Sequence, residues 1–469
     1  MPQLTADDVC TATGGTLACG RTHTVFTSVS IDSRAVSPGA LFIPLPGSRT
    51  DGHDHIAAAV QRGAAGFLFA AGRAPALHSD ATGIAVRDPL TALQALSAWH
   101  RSRLRARVIG IAGSNGKTTT KELLAQVCAA NRRTLATLGN QNNHIGLPLT
   151  LLRADERVEV MVLELGTSGA GELTLLSSLA RPQIGVITAI AEEHTETLHD
   201  LAGVIAAETE LIAALPADGV AVVNGDDAAL LAAVRRLARC RVVTFGQGAE
   251  HPYRAADIRV SRQGTSFTAC TPVASRQVRL RLLGSHFALA ALASIAVAAE
   301  CGLSLDDTCT ALAVAHGAPH RMAVVEVPAL RLTVLDDCYN ANPASVRQAL
   351  LTATQVRREG ERFVAVLGDM LELGALSRGR HEEIGEYLTT LAAPPDLLVT
   401  VGECTRGTAA RAGRAGIPVR SFATAEAAAR FVRADIRAHD GPQLLLVKGS
   451  RGAHLEAVVR HVTTSQPGE

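Results

Sequence analysis

Lysine is almost absent from this chain of 469 residues. Only Lys117, Lys121 and Lys448 occur among 45 basic side chains. Arginine supplies the rest and alanine is abundant, a bias that reads as genome composition rather than function. No chemistry that needs a lysine between residues 121 and 448 is open to the chain. Net charge is lacking too: 45 basic and 44 acidic side chains leave a formal +1. That balance excludes a global electrostatic drive toward nucleic acid or a membrane surface. The nine cysteines are odd in number and scattered, with no C-x-x-C. Buried free thiols in a reducing compartment are therefore expected, rather than a disulfide framework or a zinc site. The longest apolar run, FALAALASIAVAA over 287–299, is too short to span a bilayer and predicts a buried helix. MPQLTADDVC has no basic stretch ahead of an apolar core, so no signal peptide is expected. No internal repeat or low-complexity linker occurs, and only the tail TTSQPGE reads as disordered. The expectation is a cytoplasmic protein without stable membrane insertion.

What is present is a large apolar fraction, 47%, beside 19% charged residues. It argues against wholesale disorder and lets a chain this long bury several cores. The length predicts two to four domains, and the pattern divides into three segments. Residues 1–105 alternate short apolar runs (SVSIDSR, GALFIPLPG, AAGFLFA, GIAVRDP) with turns, then a helical stretch over 89–104 carrying the only tryptophan, Trp99. They predict a small α/β domain. Residues 106–318 open on RVIGIAG, an apolar run of the kind expected of a parallel strand buried on both faces. A helical pattern follows from Lys117 to about Ala130. VEVMVLEL, IGVITAI, GVAVVN and RVVTF then alternate with helical patterns, which predicts a mainly parallel sheet. Beyond residue 250 the runs shorten, and helices are expected near 286–300 and 305–315. Residues 319–469 restart the alternation with RLTVLDD, FVAVLGD, LLVTVG and QLLLVKG, with Pro319 as the joint. Each run ends in polar or glycine residues, where open α/β sheets place ligands.

GSNGKTT (113–119) is the sharpest local signal. Glycines let backbone N–H groups face a phosphate, and the following helix adds its positive end. Lys117 would reach the β- and γ-phosphates, and Thr118 would offer a hydroxyl to Mg²⁺. Ile111 stands where the strict Walker spacing needs glycine, so this is a shorter G-x-x-G-K-T loop. Glu164 ends the strand in VLELGTSGAGE; it suits a metal ion or its water, and equally a solvated strand end. His194, in AEEHTETLHD, reads alone as a surface loop histidine. Both follow strands of the sheet that carries the loop, so both can converge on the phosphates. DGHDH (51–55) has two histidines but no third ligand, and reads as a structural turn rather than a metal site. LDDCYNANPASV (335–346) packs acids, an aromatic and amides behind a strand; nucleotide recognition and an Asx-rich turn are both open. LVKGSRG (446–452) offers Lys448, Ser450 and Arg451 as an anion or carboxylate contact, or as an exposed basic turn.

Together these segments resemble the Mur ligase family, ATP-dependent amide-forming enzymes of peptidoglycan precursor synthesis. SIDSRAVSPGALFIPLPGSRTDGHDH, GSNGKTTTKE, GNQNNHIGLPLTLL, ELGTSGAGE, EEHTETL, DDCYNANPASV, LGDMLELG and LVKGSRG carry the likeness from residue 30 to 452. GNxNNxxGxP, YNANP and GDMxELG are particular to the branch that adds D-alanyl-D-alanine, and no DNPR-type motif of the tripeptide-forming branch is present. The resemblance implies a UDP-precursor-binding domain (1–105), a central P-loop ATP-binding domain (106–318) and a Rossmann-like C-terminal domain (319–469) that closes over the nucleotide. It implies ATP contacts from Gly113, Ser114, Asn115, Gly116, Lys117, Thr118 and Thr119, joined by Arg321, Asp337 and Asn340. It implies Mg²⁺ held through Thr118, Glu164 and His194. Precursor and acceptor contacts would come from Ser33, Arg34, Asn142, Asn143 and Lys448. The substrates implied are ATP, UDP-N-acetylmuramoyl-tripeptide and D-alanyl-D-alanine, on a monomer.

Four positions depart from the family pattern. Ala189 replaces an asparagine. The helix start HNxxN reads His286-Phe287 and then Ala290. His320 replaces the glycine before Arg321. Glu208 stands where the family carbamylates a lysine. With no lysine near, Glu208 is expected to supply the negative charge for the second Mg²⁺, directly or through a metal-bound water, with Glu210 as its decoy; the alternative is a solvated Glu208, with the metal left to Glu164 and His194. The implied reaction is two-step: the precursor carboxylate takes the γ-phosphoryl group, and an amine then attacks the acyl phosphate. The alternatives are a precursor-binding pseudo-ligase, a Mur ligase adding a different residue, or an unrelated P-loop NTPase.

Overall fold

The computed structural model describes residues 4–47, 50–73 and 81–464. Residues 48–49 of the first matched segment and 465–469 of the tail fall outside that description. Thr463, expected in the disordered tail, instead closes the last helix, Glu456–Thr463, where its hydroxyl donates to Val459 O at 2.8 Å.

The architecture is α/β, built on three larger sheets. The first has five strands in the spatial order Thr16–Cys19, Thr82–Val86, Gly66–Ala70, Ala40–Phe42, Ser28–Ser30. All its pairings are parallel except the first. A short antiparallel pair, Leu4–Thr5 with Val25–Phe26, lies beside it. DGHDH forms the turn expected of it. Asp51 caps the 3-10 helix Gly52–His55, and His53 Nδ1–H bonds Asp51 at 2.7 Å while its Nε2 accepts from Ala70 N–H at 3.0 Å.

The central sheet has nine strands. Its functional centre uses β1 (Arg107–Ala112), α1 (Lys117–Ala129), β2 (Val160–Glu164), β3 (Ile184–Ile187) and α2 (Leu201–Ala213). β1 lies between β2 and β3, all parallel. The chain leaves β1, fills one side of the sheet through β2 and then crosses to the other side at β3. This is the topological switch point at which such sheets open a crevice. Register sets Glu164 beside Ile111 and Ile187 beside Ala112, so the loops after all three strands emerge at one level. The far end of the sheet turns antiparallel through Tyr253–Ser261, Gly264–Cys270 and Ser275–Leu280. The shorter runs expected beyond 250 are not found: these strands have nine, seven and six residues, as long as or longer than the parallel ones. Helix α3 (Ser285–Glu300) is buried on nearly every face, as its unbroken apolar run predicts. Among the described residues no helix is long and apolar enough to cross a membrane.

The third sheet has six strands and includes β4 (Leu332–Asp337) and β5 (Gln443–Lys448). Only the Ala323–Val327 pairing with β4 is antiparallel. α4 (Pro343–Val356) packs between this sheet and the central one. Its Val346, Leu350 and Ala353 belong to the same apolar core as Ile109, Phe245 and Phe287. All nine cysteines are free, but only Cys128 and Cys338 are buried. Cys19 is exposed because its strand forms an edge of the first sheet. The expectation of buried thiols therefore holds for two residues.

Candidate active site

β1 ends at Ala112, and the next four residues turn the chain into α1. Gly113 and Gly116 have φ of 120° and 89°, in the left-handed region that favours glycine. A Cβ on Gly113 would stand 2.4 Å from Thr188 Oγ1, so the close approach also excludes a side chain there. The position the strict Walker spacing would give to glycine is Ile111, fully buried in β1, because the strand continues one residue further before the turn. Ser114 N–H donates to Ala189 O at 2.7 Å, and Thr188 Oγ1 donates to Asn115 O at 2.7 Å. The Ala189 departure is thus harmless to the loop, which uses that residue's backbone carbonyl. No side chain caps the N-terminus of α1. The leading N–H groups of a helix need an acceptor, and a phosphate is the acceptor this geometry invites.

Lys117 lies back over the loop. Its Nζ donates to Gly113 O, to Ser114 O at 3.2 Å and to Glu193 Oε1 at 3.3 Å. Burial alone would lower its pKa, but the carboxylates of Glu193, Glu208 and Glu164 outweigh it and hold the lysine above its usual value. Glu164 is buried at the end of β2. Its Oε1 accepts from Asn142 Nδ2 at 2.8 Å, while Oε2 is buried without a partner. An orphaned carboxylate oxygen next to a phosphate-type loop fits a hard divalent cation. His194 sits at φ 52° and pairs through Nδ1 with Glu372, which leaves Nε2 as its free ligand atom. Thr118, Glu164 and His194 all line one cleft of about 630 Å³.

The third sheet supplies the opposite wall. Arg321 Nη2 donates to Thr118 Oγ1 at 3.2 Å, its guanidinium stacks 4.2 Å from the Tyr339 ring, and its buried Nε has no partner. Asp337 Oδ2 accepts from Lys448 Nζ at 2.7 Å, since register makes the two neighbours at the ends of β4 and β5. Lys448 also donates to Asn340 O at 3.0 Å and is buried. Of the anion and carboxylate contacts expected of Lys448, the structure shows the second: while lining the cleft it pairs with Asp337 and braces the YNANP loop. Asn342 caps α4 and exchanges amide hydrogen bonds with Asn115, 3.0 and 3.3 Å, tying this loop to GSNGKTT.

The cleft brings together Ser114 through Thr119, Asn142, Asn143, Glu164, His194, Arg321, Asp337, Asn340 and Lys448. Gly113 sits in the loop behind them. Asn143 spends its Oδ1 on Ile145 and Gly146 N–H groups, at 3.1 and 2.9 Å, shaping the turn into the next helix. Ser33 and Arg34 do not join the cleft. They lie in the first sheet's loops, where Arg34 is exposed and held by Asp32 through two 2.9 Å bonds.

Glu208 also stands elsewhere than expected. It is buried under the loop, does not line the cleft, and its Oε2 accepts from Gly113 N–H at 2.6 Å. Burial pushes its pKa up to about 7, against the pull of Lys117 and with a further push from Glu193. α2 turns this residue toward the loop's underside, so Glu208 braces the loop and is not placed to ligate an ion among the phosphates. Glu210 is not idle either: it accepts from Gly171 and Thr174 N–H at 2.6 and 2.9 Å, in the manner of a helix cap. Glu193 and Asn342 were not singled out from the sequence. Each lies inside a motif that was, EEHTETL and YNANP, but a carboxylate in an acidic run gives no sign of which one faces inward. At the cleft's other end Phe245, Phe287, Leu289 and Ala290 form an apolar wall. His286 joins them, with its pKa pushed down to about 4 by burial and its Nδ1 unpartnered.

Three family models cover most of the chain. "Mur ligase family, catalytic domain" matches residues 25–101, "Mur ligase middle domain" 111–298, and "Mur ligase, glutamate ligase domain" 320–451. The UDP-N-acetylmuramoyl-tripeptide–D-alanyl-D-alanine ligase of Bacillus subtilis is 37% identical over 83% of both chains. That of Escherichia coli is 36% identical over 92% of this chain and 93% of its own. A crystal structure of MurF from Acinetobacter baumannii superposes with a TM-score of 0.87, at 30% identity over 99% of each chain. MurF ligase from Thermotoga maritima, solved in complex with ADP, gives 0.80 at 25% identity over 93% of this chain and 97% of its own. With matches of this length and identity lying on the cleft's own motifs, the chain belongs to the Mur ligase family.

Proposed function

We propose that this chain is the ATP-dependent ligase that joins D-alanyl-D-alanine to UDP-N-acetylmuramoyl-tripeptide in peptidoglycan precursor synthesis, a reaction of the cytoplasm. The observation that carries the reading is the shared cleft: an uncapped P-loop helix, a lysine among carboxylates and an orphaned Glu164 oxygen, faced by Arg321 and Asp337. The substrates follow from relatives of that name aligned almost end to end.

The γ-phosphate of ATP would seat on the leading N–H groups of α1, with Lys117 Nζ swinging from its carbonyl contacts to the transferring oxygens. Arg321 would bring a second positive charge across from the third sheet, stacked on Tyr339. The precursor's terminal carboxylate attacks the γ-phosphorus, and ADP leaves. The amine of D-alanyl-D-alanine then attacks the acyl phosphate carbon, and inorganic phosphate leaves as the amide forms. Thr118, Glu164 and His194 would hold Mg²⁺, which would neutralise charge on the phosphoryl oxygens during transfer. The apolar wall at Phe287 and Ala290 would take the face of the adenine, in place of the asparagines usual in the family. Glu208 would keep Gly113 in place from below. The first-sheet residues Ser33 and Arg34 would bind the UDP end of the precursor, at a distance from the chemistry. We divide the chain accordingly at about residues 105 and 318.

Mass analysis of products after incubation with ATP, Mg²⁺, UDP-muramoyl-tripeptide and D-alanyl-D-alanine tests the reading. The expected result is a pentapeptide product formed together with ADP and phosphate. ATP hydrolysis without ligation, or ligation of a different amine in preference, would overturn it.

A further inference from the structure

Behind the cleft wall lies a second group of side chains that the ligase reaction does not use. His320 precedes the strand Ala323–Val327, Asp336 lies near the end of β4, and Cys338 follows it. His320 Nδ1 stands 2.7 Å from Asp336 Oδ2. Cys338 Sγ stands 3.0 Å from Asp336 Oδ1 and 3.7 Å from His320 Nδ1. Among the described residues this is the one group of three or more His, Cys, Asp or Glu whose ligand atoms all fall within 4.8 Å of one another. Cys338 and Asp336 are buried, and the His320 ring is 36% exposed, which leaves an entry path from solvent.

We propose that His320, Asp336 and Cys338 form a binding site for one zinc-class divalent metal ion, separate from the Mg²⁺ of the cleft. A tetrahedral ion with bonds of about 2.0–2.3 Å holds its donors roughly 3.3–3.8 Å apart. The Cys338–His320 edge, 3.7 Å, already has that spacing. The two Asp336 edges, 2.7 and 3.0 Å and made through different carboxylate oxygens, would have to open by roughly half an ångström. Charge also matches: a thiolate and a carboxylate beside a neutral imidazole sum to −2, which a divalent cation cancels inside a buried site. One thiolate, one imidazole and one carboxylate favour Zn²⁺ or Co²⁺ over Mg²⁺ or Ca²⁺, which prefer all-oxygen shells. Burial and the Asp336 carboxylate hold the Cys338 thiol in its protonated form. Binding must therefore expel that proton to solvent while the sulfur–metal bond forms, so affinity rises with pH. A fourth position stays open to water beside His320.

The absence of C-x-x-C had argued against zinc. That argument concerns ligands close in sequence, whereas here the histidine comes from a different strand than the acid and the thiol. The ligands also alternate with cleft residues: Arg321 follows His320, and Asp337 and Tyr339 flank Cys338. Tyr339 N–H donates to His320 O at 3.1 Å, and Met322 N–H to Asp337 Oδ1 at 3.1 Å. An ion here would fasten the two segments that carry Arg321 and Asp337. That consequence rests on the nucleotide reading of the cleft; the metal site does not.

The test uses chelator-stripped full-length protein, titrated with Co²⁺ in the presence of excess Mg²⁺ and without nucleotide. Wild type should develop a thiolate-to-cobalt charge-transfer band that saturates at a single equivalent and disappears on adding Zn²⁺. Cys338→Ser should lose the band, and Cys404→Ser should keep it. His320→Gly should weaken Co²⁺ binding by roughly 10-fold or more. Both ligand variants should fold, because serine still donates to Asp336 and glycine suits the φ of 58° at position 320. No thiolate band at saturating Co²⁺, a band that survives in Cys338→Ser, displacement by Mg²⁺, or unchanged affinity in His320→Gly would each overturn the proposal. The product assay fails or succeeds independently of all four.

Discussion

Arg262 and Arg321 both bridge the central and third sheets, and they differ in what surrounds them. Arg262 sits at a hairpin tip and has an acceptor for every nitrogen. Its Nε donates to Val356 O at 3.0 Å, Nη1 to Thr333 Oγ1 at 2.7 Å, and Nη2 to the Glu361 carboxylate, itself 2% exposed. Arg321 has a long bond to Thr118, an aromatic face and a buried Nε with no acceptor. Across the cleft from it Glu164 Oε2 and His286 Nδ1 are orphaned in the same way. Buried polar groups left unpaired cost free energy, and a native protein keeps them where something else will pair them. The first seam is finished by the protein alone; on the proposed function, the second is left for ligands to complete.

The comparison breaks most visibly at the finished seam. Arg262→Ala strands the Glu361 carboxylate in the interior, so stability should fall by about 3–5 kcal/mol in urea unfolding. Turnover per folded molecule should change little, because Arg262 is remote from the cleft. A loss below about 1 kcal/mol would show that the pair is not the joint it is drawn as.

At the unfinished seam the order reverses. Lys117→Met should cost about 10²–10³-fold in kcat, as expected when one preorganised charge on the transferring group is removed. Its circular dichroism should match wild type. Retained turnover would remove Lys117 from the phosphoryl-transfer step. Glu164→Gln is milder. The amide keeps its contact with Asn142 but loses half of a divalent ion's pull, so the Mg²⁺ concentration for half-maximal rate should rise roughly 10-fold. The apo protein should become slightly more stable, since one carboxylate leaves a crowd of three around one lysine. A higher Mg²⁺ requirement without that gain would place Glu164 outside the charge cluster.

These two seams were not equally legible in the amino-acid sequence. The strands that carry the cleft are short apolar runs ending in glycine or polar residues, because a parallel strand buried on both faces leaves no other pattern. GSNGKTT carries its own geometry within seven residues, so Lys117 and Thr118 were readable alone. Strand order alone brought Glu164 and His194 to the loop, whereas Arg321 and Asp337 needed the resemblance to join them. Arg262 and Glu361 were invisible, as were Asn115 with Asn342 and His320 with Cys338. Each is a pairing between distant segments that no local period encodes. Glu208 shows the finer limit. Its position on α2 was evident, but which side of the phosphate loop that helix face meets depends on how α2 packs against β1 and β3.

The smallest predicted effect on turnover concerns that residue, and its pH dependence sharpens the comparison from beneath the cleft. The Glu208 carboxyl titrates near pH 7 in the folded apo protein, because burial outweighs the attraction of Lys117, against 4.5 for an ordinary glutamate. A pKa raised in the folded state means that the native form holds the proton more tightly than the unfolded chain does. The stabilisation is complete below about pH 4.5, drains away as pH rises, and is gone above about pH 7, with a limiting slope of about 1.4 kcal/mol per pH unit. Glu208→Gln keeps an oxygen to accept from Gly113 N–H and has no proton to lose. The stability of wild type relative to Glu208→Gln should therefore decline between pH 5 and pH 7 and level off above it. Turnover should fall only modestly, because the side chain supports the loop and does not touch the phosphates. Urea unfolding of both proteins across that range, without nucleotide or metal, reads the difference directly. Parallel pH profiles would mean that Glu208 is ionised throughout, and that Lys117, not burial, governs the charge under the loop.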